Sequence, residues 1–137
     1  MPTLFTDPRS GGVKKSSGVN VLQIVADTWA QVRDDNNSDV DYLIASFVEN
    51  SKTDITVVAY GSGGVEACAA ALLDNKPCYG GVRLRRNGRF VTFFYVPEGC
   101  PPLQRGRASM YKNGVLNVLE GSDHEIDMRP GLTEDKC

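Results

Sequence analysis

The sequence predicts an α+β domain, an α/β sandwich in which one sheet is covered by helices on both faces, and three observations carry that prediction. Two alternating runs meet at Asn87-Gly88, and both of their faces hold large apolar groups. Val82, Leu84, Val91, Phe93 and Tyr95 lie on one face; Phe90, Phe94 and the stems of Arg83 and Arg85 lie on the other. A sheet that is apolar on both sides has to be covered on both. A long stretch opening at Pro101-Pro102 repeats Ala108, Tyr111, Val115, Val118 and Leu119 at helical spacing, and Val21, Leu22, Val25, Trp29 and Val32 do the same near the start. A chain of 137 residues forms one domain with a single core.

Taken in order, residues 1–18 are rich in Gly, Ser, Lys and Pro without apolar periodicity and are expected to be a flexible segment. The domain is expected over residues 19–128, with a polar tail at 129–137. Asn20 is placed to cap a first helix that ends near Arg33, followed by an acidic loop at 34–39. Residues 42–48 and 55–60 read as two strands joined by a polar turn. Gly61-Ser62-Gly63-Gly64 lacks the spacing and the lysine of a phosphate-binding loop, so it reads as a strand-to-helix connection. A short alanine-rich helix is expected over 65–73.

Strands at 78–85 and 89–96 then form a hairpin, and Asn-Gly is the strongest short hairpin signal. A two-residue turn sets Arg85 opposite Phe90 and Arg86 opposite Arg89, a like-charge pair that weakens the hairpin. The prolines suit the first turn of the long helix and Gly121 its left-handed stop. Residues 124–128 alternate as a short last strand.

The formal net charge of −2 conceals a segregation. Arg83, Arg85, Arg86, Arg89, Arg105, Arg107 and Lys112 share a segment whose only acid is Glu98. Arg105 and Arg107 fall in the first turns of the long helix, where each cation is disfavoured by about 0.3 to 1 kcal/mol. Arg105, Ser109 and Lys112 share one flank, expected to be exposed. Positive charge retained at such a cost points either to an acidic partner or to a solvated face on which the cost is tolerated.

Catalytic signatures are missing. The single histidine, His124, stands among acids, and Cys68, Cys78, Cys100 and Cys137 form no C-x-x-C pair. No enzyme activity, metal or cofactor is expected. No apolar run reaches the roughly 18 residues of a membrane span, and residues 1–8 lack a signal peptide's apolar core, so the cytoplasm is the expected location.

Several short motifs, in order and spacing, carry a resemblance. They are Val32-Arg33-Asp34-Asp35 after the first helix and Gly88-Arg89-Phe90 before an apolar strand. Val96-Pro97-Glu98, Leu103-Gln104-Arg105-Gly106-Arg107 with Lys112 before Val115, and Gly121 with His124-Glu125-Ile126 follow. Over about residues 16–128 the chain resembles the actin-depolymerising-factor homology (ADF/cofilin) family, and within it the coactosin branch. That resemblance implies a gelsolin-like fold with a mixed sheet of five or six strands. It also implies actin binding without catalysis, on the sides of filaments (F-actin), opposing capping rather than severing, and a place in the cytoskeleton. By the family pattern Arg89 stands at the basic strand end that engages filaments, and Arg105 and Arg107 begin the helix that docks on actin.

The expected actin-binding set is Arg85, Arg86, Arg89, Arg105, Arg107 and Lys112, with apolar anchoring at Met110. Two departures from the branch are visible: the hairpin loop is shorter, and Pro130-Gly131 would break the family's C-terminal helix. The alternatives are a cofilin-like monomer-binding and severing factor and a basic-patch module for phosphoinositides. Nucleic acid is disfavoured by a pI of about 5.3. A monomer is expected.

Overall fold

The protein, seen as a computed structural model, is described over residues 15, 16 and 18–136. Expectations for residues 1–14, for residue 17 and for Cys137 fall outside the described residues. The elements in chain order are β1 (Lys15–Ser16), β2 (Val19–Val21), α1 (Gln23–Arg33), β3 (Tyr42–Phe47), β4 (Asp54–Gly61) and α2 (Gly64–Ala70). After them come β5 (Cys78–Arg83), β6 (Phe90–Tyr95), α3 (Pro102–Leu116), β7 (His124–Ile126) and a 3-10 turn at Glu134–Lys136. The strands form one mixed sheet in the order β1-β2-β4-β3-β5-β6-β7, with β2 parallel to β4, β7 parallel to β6 and the other pairs antiparallel. The two-residue β1 brings the strand number to seven, one more than expected.

Both faces of the sheet are covered, as the two-sided apolar pattern requires. On one, Val25, Trp29 and Val32 of α1 and Ala108, Tyr111 and Val115 of α3 pack with Leu43, Ile55 and Tyr79. On the other, Val65, Cys68 and Ala69 of α2 pack with Ile44, Val82, Leu84, Val91 and Phe93. Met128 and Leu132 complete that second layer. Residues beyond 128 are therefore seated on the domain, and Glu134 is itself buried.

Asn20 does not cap a helix. It lies in β2, where its backbone N–H donates to the carbonyl of Thr53 at 2.8 Å and its side-chain amide to Asp54 at 3.3 Å. Helix α1 starts at Gln23, with Leu22 at its cap and no side-chain cap hydrogen bond. The pull of a buried parallel partner, with Val19 and Val21 fully enclosed, outweighs a local capping preference. The long helix also stops early, at Leu116, and an irregular turn reaches Gly121, whose φ of +88° is the expected left-handed stop.

The β5–β6 register differs by two residues from that of a two-residue turn. Arg83 faces Phe90 and Val82 faces Val91. The loop holds four residues, 85–88: Leu84 N–H donates to the Arg89 carbonyl at 2.7 Å, and Gly88 N–H to the Leu84 carbonyl at 2.9 Å. Arg86 and Arg89 are thus not a cross-strand pair. A slip of two preserves the side-chain face of every residue, so the facial assignment survives.

In the β3–β4 pair, Ile44 faces Ala59 and Ala45 faces Val57, which leaves Val58 as an extra, bulged residue. The glycine run before α2 encloses a group of the protein's own, because Gly63 and Gly64 N–H donate to the Asp41 carboxylate at 3.2 and 3.0 Å.

Helix α3 is tied to the sheet through Tyr79, whose hydroxyl donates to the Ala108 carbonyl at 2.7 Å in the core. Burial pushes that phenol's pKa well up from its ordinary value. Tyr79→Phe should lower stability by about 1 kcal/mol, the net value of one hydrogen bond. The check is a denaturant midpoint; an unchanged midpoint would mean that the bond does not hold α3 in place.

Candidate functional site

The basic residues of the β5–β6 loop do not behave alike. Arg83 is turned inward and serves the fold: its guanidinium donates to the backbone carbonyls of Val32, Asp34 and Asn37, finishing α1. Arg85, Arg86 and Arg89 are exposed. The backbone N–H groups of Arg85 and Arg86 donate to the two carboxylate oxygens of Glu134, each at 2.9 Å. Asn87 accepts from Arg89 N–H at 3.0 Å, and Asp123 accepts from Phe90 N–H at 3.1 Å, so the strand end is braced on both sides.

The front of α3 differs from the exposed basic flank expected there. Arg105 folds back: Nε donates to the Cys100 carbonyl at 3.1 Å and Nη2 to the Pro97 carbonyl at 2.7 Å. These carbonyls offset the cost of a cation in the first turns, and they make Arg105 a clasp for the loop before the helix. Lys112 is half-buried, in an ion pair with Glu125 at 2.8 Å and 5.8 Å from the centre of the Phe94 ring. Its charge is largely committed to holding α3 against β6 and β7.

Arg107 stands apart, lining a cleft of about 360 Å³ with Phe47, Lys52, Lys76 and Gln104. Lys76 there is paired with Glu49 at 3.1 Å. Met110 is 61% exposed, and Leu103, seven positions earlier, is 81% exposed. A spacing of seven is close to two helical turns, so these two apolar side chains share a face with Arg107 between them.

Lys52, Lys76 and Leu103 escape the sequence reading. The lysines lie in turns far apart in the chain, and no local pattern brings them to Arg107. Leu103 was detectable, because it lies off the buried stripe that begins at Ala108.

The two basic regions are not one patch. Loop 85–88 lies where β5 ends and β6 begins, whereas the front of α3 follows the far end of β6. Six residues of β6 separate them, a span of about 20 Å. The exposed cations of loop 85–88 and the exposed apolar pair of α3 therefore lie toward opposite ends of β6.

The three described cysteines are buried, and burial pushes the Cys78 thiol up to about 11, which leaves the thiol protonated and unreactive at neutral pH. Among the described residues, no group of three or more His, Cys, Asp or Glu could hold a metal ion. Nor, among them, is any helix long and apolar enough to cross a membrane. An exposed apolar pair beside cations is suited to docking on a surface.

The structure is similar to coactosin from Entamoeba histolytica, with a TM-score of 0.75 and 27% identity over 88% of this chain and 91% of that one. It is similar in fold to cofilin from Streptomyces griseoflavus, with a TM-score of 0.68 and 16% identity over 82% of this chain and 88% of that one. Mouse coactosin, described as an actin filament binding protein, has a TM-score of 0.64 and 20% identity over 82% of each chain. Among curated protein sequences there is no significant match. The family described as cofilin/tropomyosin-type actin-binding protein matches residues 18–134, and the chain belongs to that ADF/cofilin family of actin-binding domains.

Proposed function

We propose that this protein binds the sides of actin filaments in the manner of coactosin, without catalysis, opposing capping rather than severing. The observation that supports this reading is the separation of exposed Arg85, Arg86 and Arg89 at one end of β6 from exposed Leu103 and Met110 beyond its other end. A single docking face would suffice for a monomer; a side-binder needs to touch neighbouring subunits at a set spacing. The 27% identity to the Entamoeba histolytica coactosin favours that branch.

At one end Arg85 and Arg89 meet acidic groups of a filament, with Arg86 held back against Glu134. At the other, Leu103 and Met110 supply apolar anchoring, with Arg107 beside them. Apolar anchors in a desolvated centre carry most of the binding energy, and rim charges act on association rate and salt dependence. Arg105 and Lys112 contribute by holding the helix that bears the anchors. The protein acts as a monomer in the cytoplasm, on the cytoskeleton.

The test is co-sedimentation with preformed filaments over a salt series. Arg89→Ala combined with Arg107→Ala should weaken pelleting by about ten- to a hundredfold, as expected for a loss of about 0.7–1.4 kcal/mol at each end, while leaving the thermal midpoint within a few degrees. A folded double variant that pellets like the wild type would sink the proposal. Absence of wild-type pelleting at low salt, with binding to phosphoinositide vesicles, would move the function to the basic cleft of Lys52, Lys76 and Arg107. Shortened filaments under microscopy would favour the cofilin-like alternative.

A further inference from the structure

The residue that shapes the β5–β6 loop lies 49 positions away in the chain. Glu134 reaches the loop with both carboxylate oxygens, one to Arg85 N–H and one to Arg86 N–H, each at 2.9 Å. Two consecutive backbone N–H groups pointing the same way form a small anion-binding concavity, and here a built-in carboxylate fills it. Charge-assisted bonds of this kind are stronger than those between neutral groups.

The anchor is itself fixed. Glu134 N–H donates to the Glu66 carboxylate at 2.9 Å, Leu132 is buried in the core beside α2, and Glu134 is 9% exposed. That N–H also holds the Glu66 carboxyl below the usual carboxylate range.

A carboxylate in the middle of a cationic surface weakens its pull on an acidic partner, so attraction alone does not explain Glu134. Its geometry does. Arg86 is folded back on the anchor, Nη1 donating to the Glu134 carbonyl at 3.3 Å and Nε lying 3.9 Å from the carboxylate. The stem of Arg85 lies against Gly64 at the start of α2, where a Cβ would come within 2.7 Å of Arg85 Cδ. Arg85 and Arg89 are both exposed, Arg89 at the strand end itself.

From this arrangement we infer that Glu134 is a positioning residue for filament binding, holding loop 85–88 in the shape that presents Arg85 and Arg89. The inference rests on the filament reading proposed above. It makes the C-terminal 3-10 turn part of the binding apparatus, acting through the loop's backbone.

The full chain carrying Glu134→Ala, and separately Glu134→Gln, tests it. In Glu134→Ala the Arg85 and Arg86 amides should exchange at least about tenfold faster, those of Val82 and Val91 should be unchanged, and filament affinity should fall about three- to tenfold. Glu134→Gln, which keeps one acceptor oxygen, should fall between. The loss should be non-additive with Arg89→Ala and additive with Arg107→Ala, a pattern that a general loss of stability would not produce.

Loosened loop amides with wild-type pelleting would overturn the positioning role and leave the filament reading intact. So would equal additivity with both arginine variants. Failure of the wild type to pellet would overturn the filament reading and this inference together.

Discussion

Gly80→Ala is expected to leave little or no folded protein. Gly80 lies in the buried centre of β5, and a Cβ there would fall on the carbonyl oxygen of Leu43 in the neighbouring strand and 2.5 Å from Cζ of Phe93. The Phe93 ring is fully buried and the Leu43 oxygen belongs to the backbone, so neither has room to give. An alanine usually stabilises by reducing the freedom of the unfolded chain, by roughly 0.4–1 kcal/mol. Overpacking reverses that sign, and a cost above about 4 kcal/mol belongs to the exceptional range for one substitution. Against a typical domain stability of about 5–15 kcal/mol, this leaves a marginal protein at best. Soluble yield and the thermal midpoint measure it; a soluble variant within a few degrees of the wild type would refute it.

Trp29→Ala should cost about 3–5 kcal/mol, the usual range for truncating a buried large aromatic. Its ring meets Phe90 edge to face, with centroids 6.0 Å apart. Its indole N–H donates to the Glu120 carbonyl at 2.7 Å, pinning the turn after α3 to α1. It also lies against Gly81, where an added Cβ would come within 2.8 Å of its Cη2.

That last contact makes a sharper expectation possible. Gly81→Ala should be severe in the wild type and much milder once Trp29 is removed, because the new methyl then enters the vacated space. The coupling should exceed about 1 kcal/mol, as contacting residues show. Gly80→Ala should gain nothing from the same background, since the Leu43 carbonyl is still there. Urea midpoints for the four proteins of the cycle decide it, and simple additivity of Trp29→Ala and Gly81→Ala would contradict the packing described.

The architecture was largely legible in the chain because it is written in local patterns. Alternation around Asn87-Gly88 located the β5–β6 hairpin, and Ala108, Tyr111, Val115, Val118 and Leu119 are all buried as their spacing implies. What escaped depends on residues distant in sequence. Asn20 carries a capping side chain, but its position is decided by Asp54. The hairpin turn widened because Glu134 offers its carboxylate to two loop amides, a better arrangement than setting Arg86 against Arg89.

The same limit applies to the basic residues. Sequence identifies them as cations in costly positions but does not show where the cost is offset. Arg105 is satisfied by carbonyls of its own loop and Lys112 by Glu125, whereas Arg89 is exposed and Arg107 opens onto a cleft. Separating the arginines that serve the fold from those that stay exposed depends on their carbonyl partners, which leave no trace in spacing.

The bulge at Val58 has a bearing on solubility. Beyond Ile55 the outer side of β4 has no strand partner among the described residues, and Val58 and Tyr60 are exposed along it. A flat rim of that composition would recruit a foreign strand and seed aggregates. An extra residue bends the strand and tightens its twist, so an incoming chain loses step with the rim after a few residues. Deleting Val58 would restore a straight ladder, and with it the stickiness that the irregular strand avoids.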